Sequence, residues 1–375
     1  MRSIFHRLSE KKDIIMKDIE SFYKGKRVLI TGHSGFKGSW LCEVLSSFGA
    51  NVIGYSLDLE ENILFRLLNL DAKVHSFWGD IRNLERLNDV FEKEKPEIVI
   101  HMAAQPIVRE SYINPVNTFS TNIMGTVNVL ECCRLNSSVK SVVNVTTDKV
   151  YRNDERENGY IETDILGGFD PYSNSKSCSE LVTRSYTQSF LEELHIPVST
   201  CRAGNVIGGG DFAKNRIIPD CVKAIESESD IIVRNPNSTR PYQHVLEPLI
   251  AYLIIAMKQY ETPSIASNYN VGPNDESCIT TGSLVTRFCE IWKKQTGSDI
   301  RWIDQHDDGP HETKTLKLDC TKINESLGWK PLWDIDITMS KLVEWYYEYL
   351  KGENVSRITV RQIHEYMKCV KEQYH

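Results

Sequence analysis

The sequence predicts an α/β protein: a doubly wound parallel sheet with a smaller mixed α/β domain at the sheet's carboxyl edge. Three observations predict it. Short apolar runs of strand length alternate with longer amphipathic stretches through the first half of the chain. A glycine triplet, Gly32, Gly35 and Gly38, lies between the first apolar run and the first helical pattern. A later apolar run ends in clustered polar and ionisable groups, at the strand end where such sheets place their chemistry. The 375 residues are enough for one large or two modest domains with a proper core. With 44 basic against 51 acidic residues, charge gives no reason to expect nucleic acid or an anionic membrane as partner. The ten cysteines form no CxxC pair, so they read as small core residues of a reduced, cytoplasmic protein without disulfide framework or metal site.

Residues 1–24 are polar and weakly helical, and read as a surface appendage without a secretory signal. RVLIT is a short buried strand, and the helix after GHSGFKG is expected from about Ser39 to Phe48. Gly32 allows the tight turn, Gly35 lets backbone approach a pyrophosphate at the helix N-terminus, and Gly38 permits close helix–strand packing. Asp58 follows the second strand, NVIGYS, where a carboxylate meets an adenosine ribose; with no arginine beside it in sequence, it favours NAD over NADP. These features together read as a Rossmann dinucleotide-binding unit. Asp80 and Ile81 close the next strand, lining the adenine pocket, unless Asp80 caps the following helix. Small Ala103 and Ala104 end the strand after that, which suits a flat cofactor passing overhead or a tight helix contact.

A long helix is expected from Asn114 to Arg134, followed by the buried strand VKSVVNV. That strand ends in Thr147, Asp148 and Lys149. Next comes DPYSNSKSCSE, with Asp170 as N-cap and Pro171 in the first turn. Tyr172 and Lys176 are four residues apart on one helical face, where a cation can lower the phenol's pKa and ready it to take a proton from an alcohol. From about residue 205 the pattern loosens, with helices expected near 246–260, 281–295 and 335–350 and a short basic helix in 351–375. LIAYLIIAM at 249–257 is too short to span a bilayer and reads as a buried helix. The expected division is an extension at 1–24, a dinucleotide domain at 25–204 rejoined by elements near 244–272, an interleaved substrate region at 205–350, and a helical tail at 351–375.

GxxGxxG, the TTD strand end and YxxxK together resemble the extended short-chain dehydrogenase/reductase superfamily. More specific stretches resemble its CDP-glucose 4,6-dehydratases: GHSGFKGSWL, AAQPIVRESYINPVNTFSTNIMGT, VTTDKVYRN, GGFDPYSNSKSCSELV, RAGNVIGGGDFAKNRIIPD, RNPNSTRPYQHVLEPL and LKLDCTKINESLGWKP. The resemblance runs from about residue 17 to 370. It implies NAD as a recycled cofactor, CDP-glucose as substrate, no net redox change, and a role in deoxysugar and surface polysaccharide (lipopolysaccharide, O-antigen) synthesis. Relatives acting on dTDP-glucose and GDP-mannose carry glutamate where this chain has Lys149.

What the resemblance implies can be assigned residue by residue. Tyr172, helped by Lys176 and Thr147, removes the proton of the sugar's 4-hydroxyl. Lys149 takes the carbon-5 proton as a neutral amine, for which its pKa must fall, and a protonated Asp148 helps the 6-hydroxyl leave as water. Phe36, Lys37 and Asn122 join the glycines, Asp58, Asp80, Ile81, Ala103, Ala104, Tyr172 and Lys176 at the cofactor. Gln105 faces both cofactor and substrate. Asn205, Arg216, Arg240 and His311 are the further substrate contacts, an arginine fork suiting a diphosphate. The resemblance also implies a homodimer through a four-helix bundle, or a tetramer built from it. Two other readings stay open: an epimerase or dehydratase acting on GDP-mannose or a dTDP- or UDP-hexose, and a non-catalytic NAD-sensing protein. The intact Thr147, Tyr172 and Lys176 set speaks against the last.

Overall fold

The computed structural model describes residues 19–305 and 315–374. Strands β1 (Arg27–Thr31), β2 (Asn51–Ser56), β3 (His75–Trp78), β4 (Ile98–His101), β5 (Ser141–Val145) and β6 (Val198–Ala203) belong to one sheet. Four short strands follow outside it, β7 (Val206–Ile207), β8 (Ile231–Val233), β9 (Thr239–Pro241) and β10 (Gln243–His244), before β11 (Asn268–Val271) returns to the sheet. β12 (Cys278–Thr280) and β13 (Trp302–Asp304) complete the set among the described residues. The main sheet runs β11-β6-β5-β4-β1-β2-β3, and every pairing in it is parallel. β5 and β6 are buried along their whole length, as strands covered on both faces of a parallel sheet are.

Register aligns the carboxyl ends. Thr31 lies opposite both Tyr55 and His101, His101 opposite Asn144, and Val145 opposite Cys201. The strand order reverses between β1 and β4, so a crevice opens there, on the edge where the polar strand ends converge.

Helices cover the two faces: α1 (Ile19–Tyr23), α2 (Phe36–Ser47), α3 (Ile63–Leu67), α4 (Leu84–Glu94), α5 (Val108–Ile113), α6 (Pro115–Phe119) and α7 (Gly125–Leu135). A single π turn, Ser120–Met124, joins α6 to α7, so the helix expected over 114–134 is continuous in course but not uniform in winding. α8 (Pro171–Tyr186), α9 (Ile217–Glu226), α10 (Leu246–Glu261), α11 (Thr281–Thr296), α12 (Thr321–Leu327), α13 (Ile335–Leu350) and α14 (Val355–Tyr374) follow. α10 is the apolar segment of the sequence reading, buried on nearly every side.

Two expectations need correction at the ends of the chain. Residues 19–23 are not a surface arm: Ile19 and Tyr23 are buried, and the Tyr23 hydroxyl donates to the Leu253 carbonyl at 2.7 Å. Residues 355–374 are not a short tail but a 20-residue helix that buries Ile358, Ile363, Tyr366, Met367 and Val370. An amphipathic stripe that long must find an apolar partner, and α13 and α2 provide it.

Candidate active site

The end of β5 carries the densest chemistry. Thr146, Thr147 and Asp148 are buried there. The Thr147 hydroxyl accepts from the Lys149 amide at 3.4 Å, starting one 3-10 turn over Asp148–Val150. It donates to Asp148 Oδ1 at 3.0 Å. Among the described residues Asp148 Oδ2 is buried without a hydrogen-bond partner. Burial pushes the Asp148 carboxyl above its ordinary range, against the pull of Lys149, Thr147 and Arg240. That is the direction a general acid needs. Lys149 is half-buried and lines the cleft beside it.

α8 begins as the sequence predicts: Asp170 accepts from the Ser173 amide at 3.0 Å and Pro171 occupies the first turn. This cap points Tyr172 into the cleft, where the Thr147 hydroxyl bears on its phenol. Burial raises the phenol to about 12, while Thr147 and the Arg216 charge pull it down. Lys176 does not supply the cation the sequence reading gave it. Its amine turns under the sheet edge and donates to the Val145 carbonyl at 3.0 Å. Burial, then the nearby Lys37 charge, lowers it to about 7, with Glu180 opposing. Lys37 is itself lowered to about 8 by burial and by Arg216. Lys37, which lines the cleft, and the buried Lys176 thus stand close together, each with weak hold on its proton.

These groups share one cleft of about 390 Å³. Phe36, Lys37, Thr147, Asp148, Lys149, Tyr172, Asn205, Arg216 and Arg240 line it. Arg216 pairs with Asp211 at 2.9 Å, and Arg240 is buried with its charge acting on Asp148. Gln105 is not brought to this wall. Its amide donates to Thr118 at 2.8 Å and accepts from Ile107, while Asn122 accepts from the Gln105 backbone at 2.8 Å. Both side chains hold the 105–107 segment. His311 lies outside the described residues. The sequence reading missed Arg109, Asp220, Ile232, Arg234 and Asn235, which also line the cleft. IIPDC and IIVRN carried the signal: charges set directly against apolar runs outside the main sheet.

The β1–α2 turn carries the glycine triplet. Gly32 has φ +76°, and a Cβ on it would lie 2.9 Å from Ala103 backbone; one on Gly38 would lie 2.1 Å from the Gly32 carbonyl. Gly35, the N-cap residue, offers no side-chain cap, so the first amides of α2 face outward without one. A bound diphosphate fits that arrangement. Asp58 is exposed past β2, and the fold brings Arg66 to 3.6 Å from it, so the acid is not without an arginine as the sequence suggested. That guanidinium also donates to the Leu59 and Glu60 carbonyls. Asp80 does not cap a helix; it grips Arg82 at 2.5 Å, and Asn83 caps α4 by accepting from the Arg86 amide. Ile81 is buried and sits under Gly125, where a Cβ would lie 2.6 Å away.

The family model for GDP-mannose 4,6-dehydratase matches residues 29–342. The chain belongs to that family. Among its curated relatives is the CDP-glucose 4,6-dehydratase of Salmonella typhimurium, 44% identical over 357 residues, or 93% of this chain and 98% of that one. The human dTDP-D-glucose 4,6-dehydratase is 27% identical over 86% of this chain and 90% of its own. Among solved structures, a dTDP-glucose 4,6-dehydratase of Bacillus anthracis in complex with NAD superposes with a TM-score of 0.72 at 20% identity, covering 88% of this chain and 100% of that one. The UDP-glucose 4-epimerase of Thermus thermophilus with NAD gives 0.73 at 23%, over 86% and 99%. At those identities the structures establish the shared fold.

Proposed function

We propose that this family member is an NAD-dependent CDP-glucose 4,6-dehydratase, converting CDP-D-glucose to CDP-4-keto-6-deoxy-D-glucose and water. The observation that carries the reading is one cleft holding Tyr172 for oxidation and Asp148 with Lys149 for elimination. A simple 4-epimerase has no use for the last two. The Salmonella relative, alike over nearly its whole length, supports the substrate assignment.

Bound NAD supplies the acceptor for the hydrogen on carbon 4 and the means of its return to carbon 6. The open amides at the start of α2 hold its diphosphate. Tyr172, acting as the phenolate that Thr147 and the Arg216 charge favour, takes the proton of the 4-hydroxyl, and Lys176 is anchored beneath on the Val145 carbonyl. The 4-ketone acidifies carbon 5, whose proton passes to Lys149. Asp148, kept protonated by burial, gives its proton to the departing 6-hydroxyl. Lys149 returns its proton to carbon 5. One proton then sits on Tyr172 while Asp148 lacks one. Thr147, bonded to Asp148 and bearing on the Tyr172 phenol, offers the route between them. The proton taken from oxygen 4 thereby leaves in the released water, and the site is reset.

Val116, Leu181 and Met124 are 81%, 55% and 50% exposed on the outer sides of the α6–α7 run and α8. Such a face favours a homodimer through a four-helix bundle; a one-chain mass by light scattering would refute it. The ten free cysteines suit a cytoplasmic setting, and among the described residues no helix is long and apolar enough to cross a membrane. The function is tested by incubating the purified protein with CDP-glucose and measuring the alkali-induced absorbance of a 4-keto sugar. No ketone from CDP-glucose, dTDP-glucose, UDP-glucose or GDP-mannose would overturn it.

A further inference from the structure

The cleft has a second charged end that the chemistry above does not use. Arg216 stands at the N-cap of α9, and its charge acts on Tyr172. Asp220 is one turn further along the same helix, its amide bonded to the Arg216 carbonyl at 3.0 Å, which displaces it by about 6 Å along the axis. None of the charges acting on the Asp220 carboxyl comes from the catalytic strand end; they come from Arg234, Lys223 and Arg109. Tyr172, Arg216 and Asp220 therefore follow one another along the cleft, so a sugar nucleotide with its sugar at Tyr172 would extend its diphosphate toward Arg216 and its base toward Asp220.

At this far end Asp220 and Arg234 face each other, 25% and 31% exposed, with Oδ2 and Nη2 3.4 Å apart. The contact is a long hydrogen bond, and both side chains keep part of their surface toward the cleft. Beside it Ile232, at the centre of β8, is 46% exposed and lines the cleft. An apolar side chain next to a carboxylate and a guanidinium suits a flat ring with hydrogen-bonding edges.

We propose that Asp220, held in place by Arg234, reads the exocyclic amine of a cytosine base. The proposal rests on the functional reading above. A carboxylate accepts from the cytosine N4 amine, while the guanidinium donates to N3 or O2. Uracil and thymine present a carbonyl oxygen where cytosine has its amine, so the same carboxylate repels them. The site selects by both attraction and repulsion. Burial lifts the Asp220 carboxyl above its ordinary value, consistent with an acceptor partly withdrawn from water.

The test compares kcat/KM for CDP-glucose, UDP-glucose and dTDP-glucose in the wild type and in Asp220→Asn. Asparagine can turn a donor toward a carbonyl oxygen, so the CDP preference should fall by about tenfold or more, with a gain on UDP-glucose. Asp220→Ser is the second variant: it removes the acceptor without offering a matched donor, and should lose the preference without that gain. If either variant melts early, calorimetry of CDP and UDP on the wild type decides, and equal affinities overturn the proposal. Ketone from CDP-glucose with the preference unchanged in the variants overturns it while leaving the function standing. Absence of ketone from every sugar nucleotide defeats the function itself.

Discussion

Replacing Asp148 by asparagine separates two halves of the reaction. The side chain keeps its shape but cannot deliver a proton to the 6-hydroxyl. Loss of a placed general acid slows its step by about 10²–10⁴-fold, or about 3–5 kcal/mol at 1.36 kcal/mol per decade. Oxidation at carbon 4 depends on Tyr172 and Thr147, and carbon-5 proton removal on Lys149, so both should survive. In deuterated water Asp148→Asn should therefore exchange the hydrogen at carbon 5 while forming little 4-keto-6-deoxy product. A stability readout accompanies this. Burial raises the folded-state pKa of Asp148 above its unfolded value, so the fold favours the neutral acid. Its contribution is present below the ordinary carboxylate pKa of about 3.9 and is lost as pH rises toward the folded value. Its buried Oδ2, without a partner among the described residues, adds a cost once charged. The melting temperature of the variant should thus gain on the wild type as pH is raised from about 4 to neutrality. Turnover within tenfold of wild type would refute the acid assignment, and loss of carbon-5 exchange would show that Asp148 acts earlier than elimination.

Tyr172→Phe should abolish even partial oxidation, seen as loss of carbon-5 exchange along with product. Lys149→Met should still bind the cofactor but stop exchange at carbon 5; surviving exchange would move the base elsewhere. Glu180→Ala strands the buried Arg202, which now donates to both Glu180 oxygens at 2.8 and 2.5 Å, and should cost about 3–5 kcal/mol in urea unfolding. Glu247 is buried, accepts from the Leu332 and Trp333 amides and the Tyr366 hydroxyl, and is raised to about 7 by burial. Its unfolded value is about 4.3, so the group costs stability progressively as pH rises between those values, reaching about 3–4 kcal/mol at 1.36 kcal/mol per unit. Glu247→Gln should flatten the melting curve against pH over that window; an unchanged slope would discount the buried carboxyl as its source.

The parts of this molecule legible in the sequence are those set by local rules. β5 and β6 read as strands because both faces are buried, and the start of α8 was readable from Asp170 and Pro171 alone. Strand ends sit together because parallel register aligns them, so Thr147, Asp148 and Lys149 could be placed at the sheet's carboxyl edge before any coordinates, and the family resemblance joined Tyr172 to them. Contacts made between distant segments were not readable. Arg66 reaches Asp58, Gln105 spends its amide on Thr118, and α14 closes over α13 and α2 through packing that no local pattern announces. Asp220 and Arg234 were missed for the same reason: α9 and β8 lie outside the sheet whose periodicity guided the reading.

Spacing also misled on charge. Tyr172 and Lys176 are on one helical face, yet the cations that bear on each are different ones. Arg216, from α9, pulls the phenol down; Lys37, from the glycine-rich turn, bears on Lys176. A helical i,i+4 rule fixes where side chains start, whereas burial decides where a flexible amine ends, here on the Val145 carbonyl. The pair therefore does not form an isolated acid–base unit. Thr147 donates to Asp148 and bears on the Tyr172 phenol. On the proposed mechanism, oxidation and elimination share a single proton inventory: what Tyr172 gains at oxygen 4 is what Asp148 must recover after releasing water. An enzyme that only oxidised and reduced at carbon 4 would return the proton by the way it came. Coupling the two groups through one threonine is what makes this strand end suited to dehydration.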